Sequence, residues 1–547
     1  MQTLLDFATQ KVLTSLLVKE RSKCRRRNRN DEKKYLDREC DIHVLSTRKI
    51  LSRIMPPRRM WVRPAKRVKL DNGAVDTSKN AEKALLLTID RDRKNRSANP
   101  RIYLDELDAF IGHIRERLSG DNLKLESPQL MPILKSQRVL PDRTLEVTCR
   151  PLSVYRRLED RIILSLTSRY LTQLLDKHLH ENILSYRPAR IFLGQEHHVP
   201  DFNDGIKLIK NFLKEHDSEN IYVADCDIKK FYDTIPHSTV IECFNRILDK
   251  TRLNTEGKAQ VMKVIKAYLN SYNFYTNAMT VANSKPQVFH KVRKRLHDHD
   301  NKNTYRIGWV DRIMMENDEQ EWCQRGVPQG GSLSLIVANV VLNDVDQVIV
   351  TQQDENCLFV RYCDDMILMH TDRDHCSQLM AAYADSLSEH GLYYHDFERV
   401  SDAKSTKDPT VTTGRFWQIK SHHTFLWGDG EGDSNRYIGF LGYEMRRTGK
   451  MRLRRSNILR FKEKSGRLFY ALRRYQIDDK HTNEEVEQHY NQTFEKLMAG
   501  MDFYTAFDKE RFKKGSQYKY MERLKDRIER RLNSLKTGIR NDKRTNR

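Results

Sequence analysis

Apolar residues recur every three or four positions through LDELDAFIGHIRERL and DRIILSLTSRYLTQLLDKHL, the spacing of helices that bury one face. Elsewhere the period shortens. LEVTCRPLSV, YVADCDI, the two halves of LFVRYCDDMILM, and RYIGFLGYEM are short runs of β-favouring residues and predict strands. Further helices are predicted from about residue 237, after Pro328 through LIVANVVLNDVD, and near 376–391. Polar stretches at about 271–325 and 405–436, the second rich in Gly and Asp, read as insertions. In the tail, Met521, Leu524, Ile528, Leu532 and Leu535 form one apolar stripe among Lys and Arg, a helix packed by a single face. The pattern divides the chain into a basic, mostly helical extension (1–125), a mixed region (126–220), a strand-and-helix body (221–447) and a basic helical end (448–547).

Composition adds a partner. The 547 residues carry 98 Lys and Arg against 75 Asp and Glu, a formal charge of +23, so the surface attracts polyanions. No stretch approaches the ~18 apolar residues of a membrane span, which favours nucleic acid over lipid. A hydrophobic fraction of 38% is enough to build real cores. The 9 Cys are scattered without a Cys-x-x-Cys pair, as expected of reduced cytosolic thiols. The N-terminus lacks the apolar core of a signal peptide. Residues Pro64 to Asp71, PAKRVKLD, resemble a nuclear import signal, although a phosphate-contacting patch suits the basic surroundings better.

Candidate chemistry lies in three segments. Tyr362-Cys363-Asp364-Asp365 places adjacent carboxylates on a tight turn between two strands; alone, such a pair is the mark of a solvated turn. In DCDIKKFYDTIP the apolar Ile221 and Val223 precede as a buried strand would, leaving Asp227 at the strand's exit. A buried carboxylate must be paired, metal-bound or exposed, so acids from two strands of one sheet suggest a two-metal site. Between them, GVPQGGSLS offers adjacent glycines that allow close backbone approach ahead of an apolar helix.

DIKKFYDTI, GVPQGGSLS and YCDD, in this order, resemble the palm motifs of reverse transcriptases, and RYIGFLGYEM resembles their primer grip. The likeness runs back through TCRPLSVYRRLEDRI and LSYRPAR and forward through MRLRRSNILRFKEK, over roughly residues 130–475. It implies an α+β right-hand polymerase fold: fingers at 126–220, palm with an antiparallel sheet at 221–447, helical thumb and tail at 448–547, and the helical extension ahead of them. It also implies RNA-directed DNA polymerase chemistry with two Mg²⁺ ions, Mn²⁺ being a substitute. Asp227, Asp364 and Asp365 would be catalytic metal ligands, joined by the carbonyl of Ile228. Tyr232 would gate the sugar, Gln329 and Gly330 would position the incoming nucleotide, and Arg143 and Arg150 would contact its triphosphate. Lys404 would protonate the leaving pyrophosphate, and Phe440, Leu441, Gly442 and Tyr443 would grip the primer. Cys363 stands where relatives carry a small or apolar residue that is not a ligand.

The resemblance is strongest to the defence-associated prokaryotic enzymes of the unknown and abortive-infection groups, with group II intron and retron enzymes as alternatives. The implied partners are an RNA template, specifically a dedicated non-coding RNA, together with deoxynucleoside triphosphates and a DNA product, in a cytoplasmic protein with no membrane partner. The amphipathic ends suit self-association. A catalytically silent nucleic-acid scaffold is the alternative from another class, opposed by the three acids; an RNA-dependent RNA polymerase is opposed by Tyr232.

Overall fold

The computed structural model describes residues 2–26, 47–69, 75–139, 145–279, 319–400, 416–417, 419–428 and 434–454, and scattered helical positions from 457 to 534; over 131–149 the backbone alone is described. Arg143, Lys404 and the apolar stripe of the tail lie outside the described residues. The chain forms two compact units. One comprises Met1–Pro200, Asp227–Gln352 and Ala381–His395, the other Asp201–Cys226, Gln353–Met380 and Asp396–Arg547.

The first unit is mostly helical. Its centre is the Ser332–Val350 helix, which packs against Leu158–Leu175 on one side and His237–Asp249 on another. SLSLIVANVVLNDVDQVIV is apolar nearly all round, so the helix is stable only when surrounded. Leu333, Val337, Val341, Leu342, Val345 and Ile349 are buried, each contributing roughly 1.5–3 kcal/mol. This helix corrects the reading that nothing approaches a membrane span: by length and composition it is apolar enough to cross one, and it is a largely buried core helix. The N-terminal Gln10–Arg26 helix packs on Thr77–Lys94, Ile102–Ser119 and Leu158–Leu175, so the extension is part of this unit's core. Two antiparallel hairpins complete it: β1 (Gln129–Val139) with β2 (Leu145–Val154), and β3 (Arg190–Phe192) with β4 (Gln195–His198).

The second unit is built on a sheet of order β10-β9-β5-β7-β6, comprising β5 (Tyr222–Asp225), β6 (Cys357–Tyr362), β7 (Asp365–His370), β9 (Ser421–Trp427) and β10 (Ser434–Asn435); β8 (Phe397–Glu398) pairs with β9. The β9-β5-β7-β6 core is antiparallel, while β8 and β10 add parallel edges. The amphipathic Phe202–Glu215 helix covers β6. A separate antiparallel sheet joins β11 (Tyr437–Phe440), β12 (Tyr443–Arg446) and β13 (Met451–Leu453). Helices together with largely antiparallel sheets make the α+β class expected from the sequence. Two local expectations change. Residues 421–427, placed within an insertion, form a strand bonded to β5, and RYIGFLGYEM is two strands joined by a turn.

In the first unit a polar cluster ties separate helices together. Asp344 accepts from Arg246 Nη2 at 2.6 Å and from Cys243 Sγ at 3.6 Å, and lies 3.2 Å from His390 Nε2. The Asp344 hydrogen bond, with Cys243 adding, raises His390 to about 10, and His390 in turn lowers Asp344. A histidine raised on folding stabilises fully below its unfolded value of about 6.5 and loses that contribution as pH rises through its folded value. We therefore expect His390→Gln to cost roughly 2 kcal/mol at neutral pH in urea unfolding. The gap to wild type should close as pH rises through about 10.

Candidate active site

The β6–β7 hairpin pairs Tyr362 with Asp365, leaving Cys363 and Asp364 as a two-residue turn. Cys363 has φ +58°, the left-handed conformation a primed hairpin turn requires at its first central residue. Beneath it Arg361, fully buried, donates from Nη1 to the Cys363 carbonyl at 2.9 Å. Asp364 is half-buried and Asp365 exposed. Because β5 runs antiparallel to β7, with Tyr222 opposite His370 and Ala224 opposite Leu368, the C-terminal end of β5 lies at the same end of the sheet as this turn. Asp227 follows two residues beyond that end.

Asp225, the other acid of its segment, is already engaged. Its Oδ1 accepts from the His422 backbone N–H at 3.0 Å and lies 2.7 Å from His422 Nδ1. Burial pulls His422 down, but the Asp225 charge and hydrogen bond outweigh it and leave it raised. No motif signals this partner: His422 lies 197 residues away on β9.

Within the first unit, Asp227 and Ile228 run beside Tyr393–His395. His395 N–H donates to the Asp227 carbonyl at 3.0 Å, and Lys229 N–H to the Tyr393 carbonyl at 2.6 Å. Lys230 at φ +51° then breaks the extended run and starts the short Phe231–Thr234 helix, which carries Tyr232. Phe231 is buried and meets the half-buried Tyr232 ring edge-on at 5.2 Å.

The Arg325–Gly330 segment is laid against this helix. Val327 N–H donates to the Tyr232 carbonyl at 2.8 Å and Gly326 N–H to that of Ile235 at 2.8 Å. The Gln329 Nε2 donates to the buried Asp233 Oδ1 at 2.7 Å, and the Gln329 carbonyl accepts from Ser153 N–H at 2.9 Å. This fixes the amide, with its nitrogen toward Asp233, and ties the turn to β2. Gly330, at φ +91°, sits where a side chain is strained. Asp233, absent from the residues inferred by motif, is thus the group that orients Gln329. Arg150 is exposed on β2, opposite Ile133 of β1.

The expected primer grip is the β11–β12 turn. Phe440 pairs with Tyr443, and Leu441 and Gly442 both have positive φ, +50° and +86°, as a type I′ turn requires. The Gly442 carbonyl accepts from Arg454 N–H at 3.0 Å and Asn457 Nδ2 at 3.1 Å. Tyr443 is buried, with its ring stacked on Phe202 at 6.4 Å.

Among the described residues, two groups bring three ligand atoms within 4.8 Å of one another: Cys243 with Asp344 and His390, and Asp354 with His370 and His375. Neither contains Asp227, Asp364 or Asp365. The first already holds the Arg246 guanidinium. In the second, Asp372 N–H donates to His370 Nδ1 at 2.8 Å, so a neutral His370, the form its burial favours, carries its proton on Nε2 with no lone pair there for an ion.

Residues 141–397 match the family model described as reverse transcriptase (RNA-dependent DNA polymerase). The chain thus carries a reverse transcriptase domain, and the enzyme class this defines is the RNA-directed DNA polymerases, which are nucleotidyltransferases. Among solved structures, telomerase from Candida albicans in complex with the TWJ fragment of telomeric RNA is similar at 15% identity and TM-score 0.31, over 80% of this chain and 64% of that one. Apo telomerase from Candida tropicalis is similar at 12% identity and TM-score 0.33, over 86% and 78%. The chain spans less than two thirds of the first of these. No curated protein matches it.

The turn geometry makes a stability prediction. A β-branched residue is a poor occupant of the left-handed region, so Cys363→Val should lower stability by about 1–2 kcal/mol relative to Cys363→Asn, which tolerates it. Chemical denaturation of the two variants checks this.

Proposed function

We propose that the chain extends a DNA 3′ end on an RNA template by nucleotidyl transfer, with Asp227, Asp364, Asp365 and the Ile228 carbonyl holding two Mg²⁺ ions. The observation that carries this reading is the Asp364–Asp365 turn, which lies at the same end of the second unit's sheet as the C-terminal end of β5, two residues before Asp227 in the sequence. The donor set fits: carboxylate and carbonyl oxygens are hard ligands suited to Mg²⁺ or Mn²⁺, and all three acids keep contact with solvent. The bridge to Tyr394 takes the Asp227 carbonyl, so alternation along an extended strand turns the Ile228 carbonyl away from it. When bound, such ions activate the 3′ hydroxyl and neutralise the leaving pyrophosphate.

The remaining residues position the substrate. The Tyr232 ring forms the wall that excludes a 2′ hydroxyl, and Gln329, oriented by Asp233, holds the incoming nucleotide beside Gly330. Arg150, with Arg143, contacts the triphosphate, where a guanidinium fork suits phosphate oxygens. Lys404 supplies a proton to the pyrophosphate, and Phe440, Leu441, Gly442 and Tyr443 hold the primer end. On the resemblance of the ordered motifs and the long basic extension, we place the enzyme in prokaryotic antiviral defence, in the cytoplasm, working with a dedicated non-coding RNA.

Primer extension on an RNA template should require Mg²⁺ and fall roughly a thousandfold, about 4 kcal/mol of barrier, in Asp364→Ala/Asp365→Ala. Equal extension by the variant would refute the site. Tyr232→Ala should reduce discrimination against ribonucleotides by about tenfold or more in paired incorporation assays. Sequencing RNA that co-purifies with the protein tests the dedicated partner, for which one defined species is expected.

A further inference from the structure

The segment Arg58 to Lys69 is held against the Thr77–Lys94 helix by its backbone. Trp61 Nε1 donates to the Pro56 carbonyl at 2.9 Å, and Val62 N–H to the hydroxyl of the buried Thr88 at 2.8 Å. Asn80 clasps Val68 from both sides: its Oδ1 accepts from the Val68 N–H at 2.9 Å and its Nδ2 donates to the Val68 carbonyl at 2.8 Å. Lys83 Nζ donates to the Lys66 carbonyl at 3.3 Å. These bonds consume main chain and leave the cationic side chains alone. Arg58, Arg59, Arg63, Lys66, Arg67 and Lys69 are all exposed, no acid is interspersed among them, and none forms an ion pair among the described residues. Holding six like charges on a pinned strap has a repulsive cost that a polyanion relieves by neutralising them and releasing its own counterions.

The way the strap is pinned also selects the partner. A protein that docks an extended peptide in a groove needs its backbone, which Thr88 and Asn80 already occupy. An anionic membrane surface is gripped best when exposed apolar anchors accompany the charges, but Met60, Trp61, Val62 and Val68 are half-buried. A phosphate backbone asks only for fixed, outward-pointing cations. We propose that the Arg58–Lys69 strap is a binding track for the phosphate backbone of a nucleic acid strand.

The test uses the full chain and a fluorescein-labelled oligouridine, titrated over a salt series without nucleotides or metal, so its result is independent of whether the chain extends a primer. Arg63→Gln/Arg67→Gln/Lys69→Gln should flatten the plot of log affinity against log salt by about 2, roughly 0.7 for each single-strand phosphate no longer neutralised. Lys66→Gln alone should flatten it by about 0.7. A control removing equal charge from exposed positions elsewhere, Lys250→Gln/Arg252→Gln/Lys266→Gln, should leave the slope at the wild-type value. An unchanged slope in the strap variants, or an equal change in the control, overturns the proposal. So does an unchanged RNA slope accompanied by abolished binding to phosphatidylcholine/phosphatidylserine vesicles, or to a purified nuclear import adaptor.

Discussion

The first unit depends on one buried guanidinium. Arg325 is 8% exposed and donates from Nη1 to the carbonyls of Thr234 at 2.9 Å and Gly391 at 3.1 Å, while its Nε and Nη2 engage Glu321. Its face lies over the Tyr393 and Trp322 rings. One side chain thereby joins the helix that carries Tyr232, the segment leading to Gln329, and the strand beside Asp227. Lysine could not substitute, because the rigid fork of donors, not the charge, spans the separate carbonyls. The next residue enforces the arrangement: Gly326 has φ +91°, and a Cβ there would stand 2.8 Å from Phe274 Cβ and 2.9 Å from the Asp233 carbonyl. The bond between Gln329 and Asp233 follows from this constraint, since Arg325 and Gly326 fix the register that brings the amide to the carboxylate.

Features that depend on local pattern were legible in the sequence. The two apolar runs around YCDD marked β6 and β7, and the apolar run after Pro328 marked the core helix. Features set by distant partners were not. SHHTFLW hides its strand behind a His pair, one member of which faces Asp225, and its polar flanks gave it the character of an insertion. RYIGFLGYEM looked continuous because Leu441 takes a conformation more typical of Gly or Asn. Asp233 escaped notice because its role depends on Gln329, 96 residues away.

The two hairpin turns share a device. Cys363 and Leu441 both hold positive φ without being glycine, at a cost on the order of 1–2 kcal/mol each, and each turn is secured by donors to a carbonyl within it: Arg361 to Cys363, Arg454 and Asn457 to Gly442. Such turns are short and rigid, which suits side chains that must be held in place before a substrate arrives.

In the acid turn the device also has an electrostatic consequence. Two adjacent carboxylates repel, and in a half-buried setting the repulsion is screened less than in water. Arg361 places a full positive charge against the carbonyl that immediately precedes Asp364, from a fully buried position in the strand leading into the turn. That charge offsets part of the repulsion. The hydrogen bond to the carbonyl also holds the turn through its backbone, and a backbone bond keeps its geometry whether the neighbouring carboxylates are bare or neutralised by cations. A turn secured only through the acids themselves would have to rearrange whenever an ion arrived or left. Gripping the main chain separates the shape of the turn from the charge it carries, and Cys363 is the residue through which the acids are positioned.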